Sequence, residues 1–128
     1  MRLLLDTCTF LWAVFSPELL SAKAKALFTD PGNEVFLSVV SSWEIAVKHS
    51  LGRLPLPEPP AQFVPRQREA HGIDSLPLDE EAALHVSRLP RLHSDPFDRM
   101  LASQSIVHGL ILLSPDKQIA RYPVRIFW

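Results

Sequence analysis

The sequence predicts an α/β fold built around a mainly parallel sheet, and three observations carry that expectation. Short apolar runs, Leu3-Leu4-Leu5 and Leu110 to Leu113 among them, have the density of strands buried on both faces. Helix signals fill the intervals between such runs, giving the strand–helix alternation of a parallel sheet. Acids stand just past two of the runs, at Asp6 and Asp116, and open parallel sheets bind ligands beyond the carboxyl ends of their strands.

Taken in order, Leu3-Leu4-Leu5 is the first strand, and a helix from about Thr9 to Phe15 follows, closed by Ser16-Pro17. Ser21 reads as the N-cap of a second helix running to about Phe28. Asp30-Pro31-Gly32-Asn33 makes a turn, and Val35 to Val40, rich in β-branched residues, makes the second strand. Ser41 or Ser42 opens the next helix and Gly52 ends it, with Trp43, Val47 and Leu51 as its apolar stripe. Prolines between Leu54 and Pro60 give an extended connector rather than a domain linker. A helix spans Ala61 to Ala70, a short strand Ile73 to Leu78, and Asp79 caps a helix to about Leu89. The helix opened by Asp95-Pro96 has an acidic cap, proline at its first position and Gly109 after its end. Leu110 to Leu113 and Val124 to Phe127 supply the last strands, and no repeat or low-complexity tract interrupts the pattern.

A chain of 128 residues fits one domain, 1–128, with one substantial core. Its 47% hydrophobic and 21% charged content is ordinary for a folded protein and excludes a disordered one. With 13 Lys plus Arg against 14 Asp plus Glu, it lacks the overall basic balance of many nucleic-acid binders. A local basic rim beside an acidic site remains compatible with those totals. One cysteine, Cys8, excludes an internal disulfide and fits a reducing compartment. No apolar run approaches the ~20 residues of a membrane span, and Asp6 interrupts the N-terminal run too early for a signal peptide. A cytoplasmic protein with no membrane partner is expected.

Four acids from distant parts of the chain are candidates for one site. Asp6 and Asp116 follow strands, Glu44 stands early in the helix leaving the second strand, and Asp98 lies in the first turn after Pro96. Gathered carboxylates repel and raise one another's pKa. A hard divalent cation, Mg²⁺ or Mn²⁺, relieves that cost because it prefers carboxylate and water oxygens. Such a site suits phosphodiester hydrolysis, where two ions about 3.5–4 Å apart serve the attacking and leaving oxygens. Each acid also has a structural task available. Ser41-x-x-Glu44 is a capping box and Glu44 can pair with Lys48. Asp95 is a helix cap, Asp98 sits where a helix dipole favours any acid, and Asp116 can shape a turn. Asp6 alone, ending a buried strand, has no routine structural use. His93 precedes Asp95 in an H-x-D step but has no second histidine at ligand spacing. Cys8 has no partner base. No glycine-rich phosphate loop or G-x-S-x-G elbow occurs, and Trp12, Trp43 and Trp128 read as core residues.

Leu3-Leu4-Leu5-Asp6-Thr7 with Leu11-Trp12-Ala13 resembles the opening of a PIN domain. Ser42-Trp43-Glu44-Ile45-Ala46-Val47-Lys48 with Leu51-Gly52-Arg53-Leu54, then Asp95-Pro96-Phe97-Asp98-Arg99-Met100-Leu101-Ala102 and Ser114-Pro115-Asp116, resemble its later acidic segments. The ending Tyr122-Pro123-Val124-Arg125-Ile126-Phe127-Trp128 is similar to that of the VapC-type toxins. The resemblance covers essentially the whole chain. It implies a PIN-like three-layer α/β/α fold and a Mg²⁺- or Mn²⁺-dependent endoribonuclease acting as the toxin of a toxin–antitoxin pair. By position it makes Asp6, Glu44, Asp98 and Asp116 the catalytic and metal-binding quartet. Asp98 is preferred to Asp95 because Ala102 completes the family's D-x-x-x-A pattern. Thr7, Ser114 and Asp95 become supporting groups behind the ligands. Two departures stand out: Cys8, where a polar residue is commoner, and Pro115, which removes an N–H beside Asp116.

The implied reaction is attack on RNA by a water activated at the ion, leaving 5′-phosphate and 3′-hydroxyl ends. Lys48, Arg53, Arg91 and Arg99 are candidates for phosphate contacts. The implied partners are an RNA substrate, a small cognate antitoxin and a second copy of the chain. Trp12, Phe15 and the stretch from Leu54 to Phe63 are candidates to line the antitoxin groove. Two rival readings are a PIN-like binding module with a decayed site and a receiver-like Mg²⁺-dependent signalling domain. A receiver needs paired acids after its first strand, whereas Asp6 stands alone.

Overall fold

A computed structural model describes residues 1–128. Its strands are β1 (Arg2–Leu5), β2 (Glu34–Ser38), β3 (Asp74–Leu76), β4 (Ile111–Leu113) and β5 (Arg125–Phe127). Its helices are α1 (Thr7–Phe15), α2 (Ala22–Thr29), α3 (Val39–Ser50), α4 (Pro60–Ala70), α5 (Glu80–His85) and α6 (Pro96–His108). Short 3₁₀ turns occur at Pro17–Leu19, Val86–Arg88 and Ile119–Arg121. The five strands lie in the order β3-β2-β1-β4-β5, and every pairing is parallel. Both edge strands have three residues, which leaves little unpaired backbone for a neighbouring chain to template on.

Strand alternation divides the interior into two cores. Leu3 and Leu5 with Val35, Leu37, Ile111 and Leu113 face Phe10 and Ala13 of α1, Ala24 of α2 and Phe63 and Val64 of α4. Leu4 and Leu112 point the other way, against Leu101 of α6 and Val40 of α3. The sheet is therefore the middle of three layers, the α/β/α arrangement expected from the sequence. No helix is long and apolar enough to cross a membrane.

Local signals explain where most elements start and stop. Ser21 and Asp79 cap α2 and α5 through the amides of Ala24 and Ala82. Gly109 ends α6 with φ 64°, a conformation that costs a residue with a side chain about 1 kcal/mol or more. Several starts shift by one residue, and two helix starts differ from expectation by two or more. Helix α1 begins at Thr7 rather than Thr9, because Asp6 is its N-cap and accepts from Thr9 N at 2.7 Å. Asp6 thus has the structural task that the sequence reading denied it. Helix α3 begins at Val39, with Ser38 as N-cap, so Val39 and Val40 are helical despite their β-branching and neither Ser41 nor Ser42 is the cap.

The inner face of α3 also differs. Trp43 and Leu51 are 60% and 59% exposed, whereas Ser41, Glu44 and Ile45 are buried. The apolar stripe faces outward and the inward face is partly polar, as a helix bordering a charged site requires. Trp43 is therefore not a core residue; its ring meets Phe97 edge-on, 4.9 Å between centroids.

Ser38 joins the layers on the α6 side. Its hydroxyl accepts from Val40 N at 3.0 Å and donates to Gln104 Oε1, whose amide nitrogen donates to Pro77 O at 3.2 Å. Ser38 and Gln104 are both fully buried. Ser38→Ala removes a helix cap and strands a buried carbonyl together. It is expected to lower stability by about 2–3 kcal/mol, read as a lower urea midpoint at unchanged slope.

Candidate active site

In this sheet the chain crosses from the β2–β3 side of β1 to its β4–β5 side, so the crevice beyond β1 and β4 is the topological switch point. Leu5 pairs with Leu37 and Leu113, which brings the next residues, Asp6, Ser38 and Ser114, to one level of the carboxyl edge. Asp6 is 4% exposed, and both its oxygens are held: Oδ1 by Thr9 N and Oδ2 by the Ser114 hydroxyl. Burial pushes its carboxyl above the usual range, while the bonds from Ser114 and Thr9 pull it back.

Glu44 reaches the same edge from α3 and is 5% exposed. Thr7 donates to its Oε1 at 2.6 Å, and Thr7 Oγ1 also lies 2.9 Å from Ser41 Oγ. Its other oxygen, Oε2, pairs with Lys48, one turn on. That hydrogen bond raises the Lys48 pKa, keeping the ammonium charged. Glu44 is thus tied to Thr7 and Lys48 and takes no part in a capping box.

Asp116 keeps its place despite Pro115. Ser114 Oγ accepts from Asp116 N at 3.0 Å, and Asp116 Oδ1 accepts from Gln118 N at 2.7 Å and Ile119 N at 3.3 Å, which ties it to the turn that follows. Asp95 caps α6 through Phe97 N and Asp98 N, at 2.9 and 3.2 Å. Asp98, three positions on and in the first turn of the helix, has Oδ2 3.4 Å from His93 Nε2.

Asp6, Glu44, Asp95, Asp98 and Asp116 line one cavity of about 400 Å³. Its wall is completed by Thr7, Cys8, Leu11, Trp12, Lys48, Arg53 and Leu54. The electrostatic cost is visible in Asp98, whose carboxyl is pushed up to about 8, first by burial and then by Asp95, Asp116, Glu44 and Asp6. Cys8 is pushed up to about 11, by burial and then by Asp6, Asp116 and Glu44. It is a protonated thiol at neutral pH and no nucleophile.

No three of the His, Cys, Asp and Glu side chains converge closely enough to enclose an ion by themselves. Mg²⁺ ordinarily keeps several waters and takes one or two carboxylates directly. An all-oxygen donor set around a cavity with room for a hydrated ion, carrying a carboxyl that retains its proton near neutrality, therefore fits a hard divalent cation.

The basic residues divide. Lys48 and Arg53 line the acidic cavity, whereas Arg91 lines a separate pocket. Arg99, expected to meet phosphate, instead donates to Pro90 O at 2.9 Å, Tyr122 Oη at 3.0 Å and Val86 O at 3.3 Å. The sequence offers Ser41 only as a helix cap and Tyr122 only as part of the closing motif, whereas Ser41 meets Thr7 and Tyr122 meets Arg99. A second serine in Ser41-Ser42 is visible, but nothing local in Tyr122-Pro123 points to residues more than twenty positions upstream.

The PIN domain family model matches residues 3–124. Ribonuclease VapC16 of Mycobacterium tuberculosis (strain ATCC 25618 / H37Rv) is 38% identical over 63 residues, covering 49% of this chain and 45% of that protein. The aligned stretch is thus under half of the curated relative's length. The structure is similar to VapBC2 from Rickettsia felis bound to a promoter DNA fragment, with TM-score 0.74, 13% identity and 99% and 98% of the two chains covered. It is also similar to DNA-bound VapBC from Salmonella typhimurium, with TM-score 0.69, 16% identity and 99% and 97% covered. These likenesses at low identity speak for the fold, and the family model, spanning nearly every residue from β1 to the approach to β5, places the chain in the PIN-domain family.

Proposed function

We propose that residues 1–128 form one PIN domain that is a divalent-metal-dependent endoribonuclease, the toxin half of a toxin–antitoxin pair. The observation that carries this reading is the ring of five carboxylates around one cavity at the sheet's switch point. The ribonuclease activity named for the Mycobacterium relative and the VapBC assemblies with this fold support it.

Asp6, Glu44, Asp98 and Asp116 would hold Mg²⁺ or Mn²⁺. When bound, the ion supplies activation of water and neutralisation of charge on the phosphodiester. The chain's own groups do the rest. Thr9 N and Ser114 fix Asp6, so that its position does not depend on the ion. Thr7 and Lys48 fix Glu44 from either side. Asp95, committed to two amides of α6, sets the first turn that carries Asp98. Lys48 and Arg53 offer positive charge to the RNA backbone at the cavity rim. The protonated Cys8 leaves water as the nucleophile.

Purified protein incubated with a mixed RNA pool is expected to give discrete fragments with Mg²⁺ or Mn²⁺ and none with EDTA. Equal cleavage in EDTA, or neither cleavage nor metal binding, would overturn the reading. The toxin role is tested by the protein encoded beside this one. Its co-expression is expected to relieve growth arrest, and an arrest it leaves unchanged would count against the pairing.

A further inference from the structure

The loop that enters α6 folds over Tyr122, which is 3% exposed, and its hydrogen bonds have only one consistent direction. The phenol oxygen lies 3.0 Å from Arg99 Nη1, 3.3 Å from the His93 backbone N and 2.6 Å from His93 Nδ1. A guanidinium and a backbone amide can only donate. Both therefore donate into the phenol oxygen, and its single proton is left for His93 Nδ1. With Nδ1 an acceptor, the neutral imidazole carries its hydrogen on Nε2. That nitrogen is the one 3.4 Å from Asp98 Oδ2, and the His93 and Asp98 side chains are 16% and 19% exposed.

We infer that Arg99, Tyr122 and His93 form a directional relay that fixes the His93 tautomer and so holds one oxygen of Asp98, leaving the other for a divalent cation. His93 is a positioning residue in this relay: it acts through Asp98 and touches neither ion nor substrate. The relay starts from a group that cannot lose its charge. The Arg99 guanidinium is held by Pro90 O and Val86 O as well as by the phenol, and its carbon lies 5.7 Å from the Tyr122 ring centre. The His93 and Tyr122 rings lie 5.3 Å apart, which limits rotation of the imidazole. A histidine that only pinned the loop would make the same contact with Tyr122 but have no need of a carboxylate within reach of its second nitrogen.

The inference rests on Asp98 being a metal ligand, and its test separates the two claims. NMR of isotope-labelled histidine in the metal-free protein at about pH 8, where an ordinary imidazole is neutral, is expected to show His93 protonated on Nε2. A proton on Nδ1 overturns the relay, whatever any variant does. Calorimetric titration with Mn²⁺ then compares variants whose metal-free melting shows them folded. His93→Ala and Tyr122→Phe are expected to weaken Mn²⁺ binding about tenfold, His93→Gln to recover part of the loss through its amide N–H, and Ser94→Ala to change nothing. Unchanged affinity in folded His93→Ala, with binding abolished in Asp98→Asn, overturns the relay and keeps the metal reading. No Mn²⁺ binding by the unaltered protein overturns both.

Discussion

Asp98→Asn is expected to lower metal-dependent RNA cleavage about a thousandfold, a loss of roughly 4 kcal/mol of transition-state stabilisation. The substitution keeps size and shape while removing the carboxylate that a bound cation would meet. Asp95 still caps α6, because its bonds go to the amides of Phe97 and Asp98, which the change leaves in place. Loss of activity can therefore be separated from loss of fold. Initial rates across an Mg²⁺ series decide the case: a variant within tenfold of the unaltered protein at saturating metal would remove Asp98 from the proposed ligand set.

The same substitution is expected to stabilise the metal-free protein, and pH gives the sign. Asp98's carboxyl rises from 3.8 to about 8 on folding, so the folded state binds a proton that the unfolded chain has released. The associated stability is complete below about pH 4 and is lost progressively as pH rises through about 8. Its side chain is 19% exposed, and solvent screening reduces the effect to about 1–2 kcal/mol. Melting without metal should thus show Asp98→Asn level with the unaltered protein near pH 4 and several degrees above it near pH 8. Mg²⁺ should raise the unaltered protein's midpoint most where the proton is weakest held, at the alkaline end. A variant less stable than its parent at pH 8 would show that the acids are not frustrated without an ion.

How far the sequence discloses this site depends on which interactions are local. Asp6, Glu44, Asp98 and Asp116 are legible as a group because each stands at a strand end or in the first half of a helix. The parallel sheet then brings them, with Asp95, around one cavity. The start of α3 is not legible by propensity: Val39 and Val40 favour strand, and the cap at Ser38 with its tie to Gln104 overrides them. The Trp43–Leu51 stripe misleads for a related reason. Helix α3 turns Ser41 and Glu44 inward beside Val40 and Ile45, so its buried face is half polar and the apolar stripe does not mark it. Arg99 could not be assigned from its neighbours at all, since its Tyr122 partner is 23 positions away. Its immediate sequence, Phe97-Asp98-Arg99, suggests a site residue, whereas its hydrogen bonds make it the support of a loop.

Phe63→Ala is expected to be the most destabilising of these substitutions, by about 3–5 kcal/mol, lowering the melting midpoint by roughly 10–20 °C. Phe63 is fully buried, meets Phe10 edge-to-face at 6.5 Å between centroids and stacks on Phe15 at 5.4 Å and 7°. Two of the three rings therefore belong to α1, the helix whose cap is Asp6 and whose first residue is Thr7. The third arrives on α4, across the proline-rich connector, and closes the core under α1. Truncation opens a cavity and also removes the surface on which α1 lies. Asp6 has a second anchor that does not run through Phe63: β1 is central in the sheet, and Ser114 at the end of β4 holds Oδ2. Cleavage per folded molecule, measured well below the new midpoint, should accordingly stay within a fewfold of the parent. A fall in activity as steep as that of Asp98→Asn would mean that the acids are positioned by the aromatic cluster beneath α1, and that the sheet edge alone does not hold them.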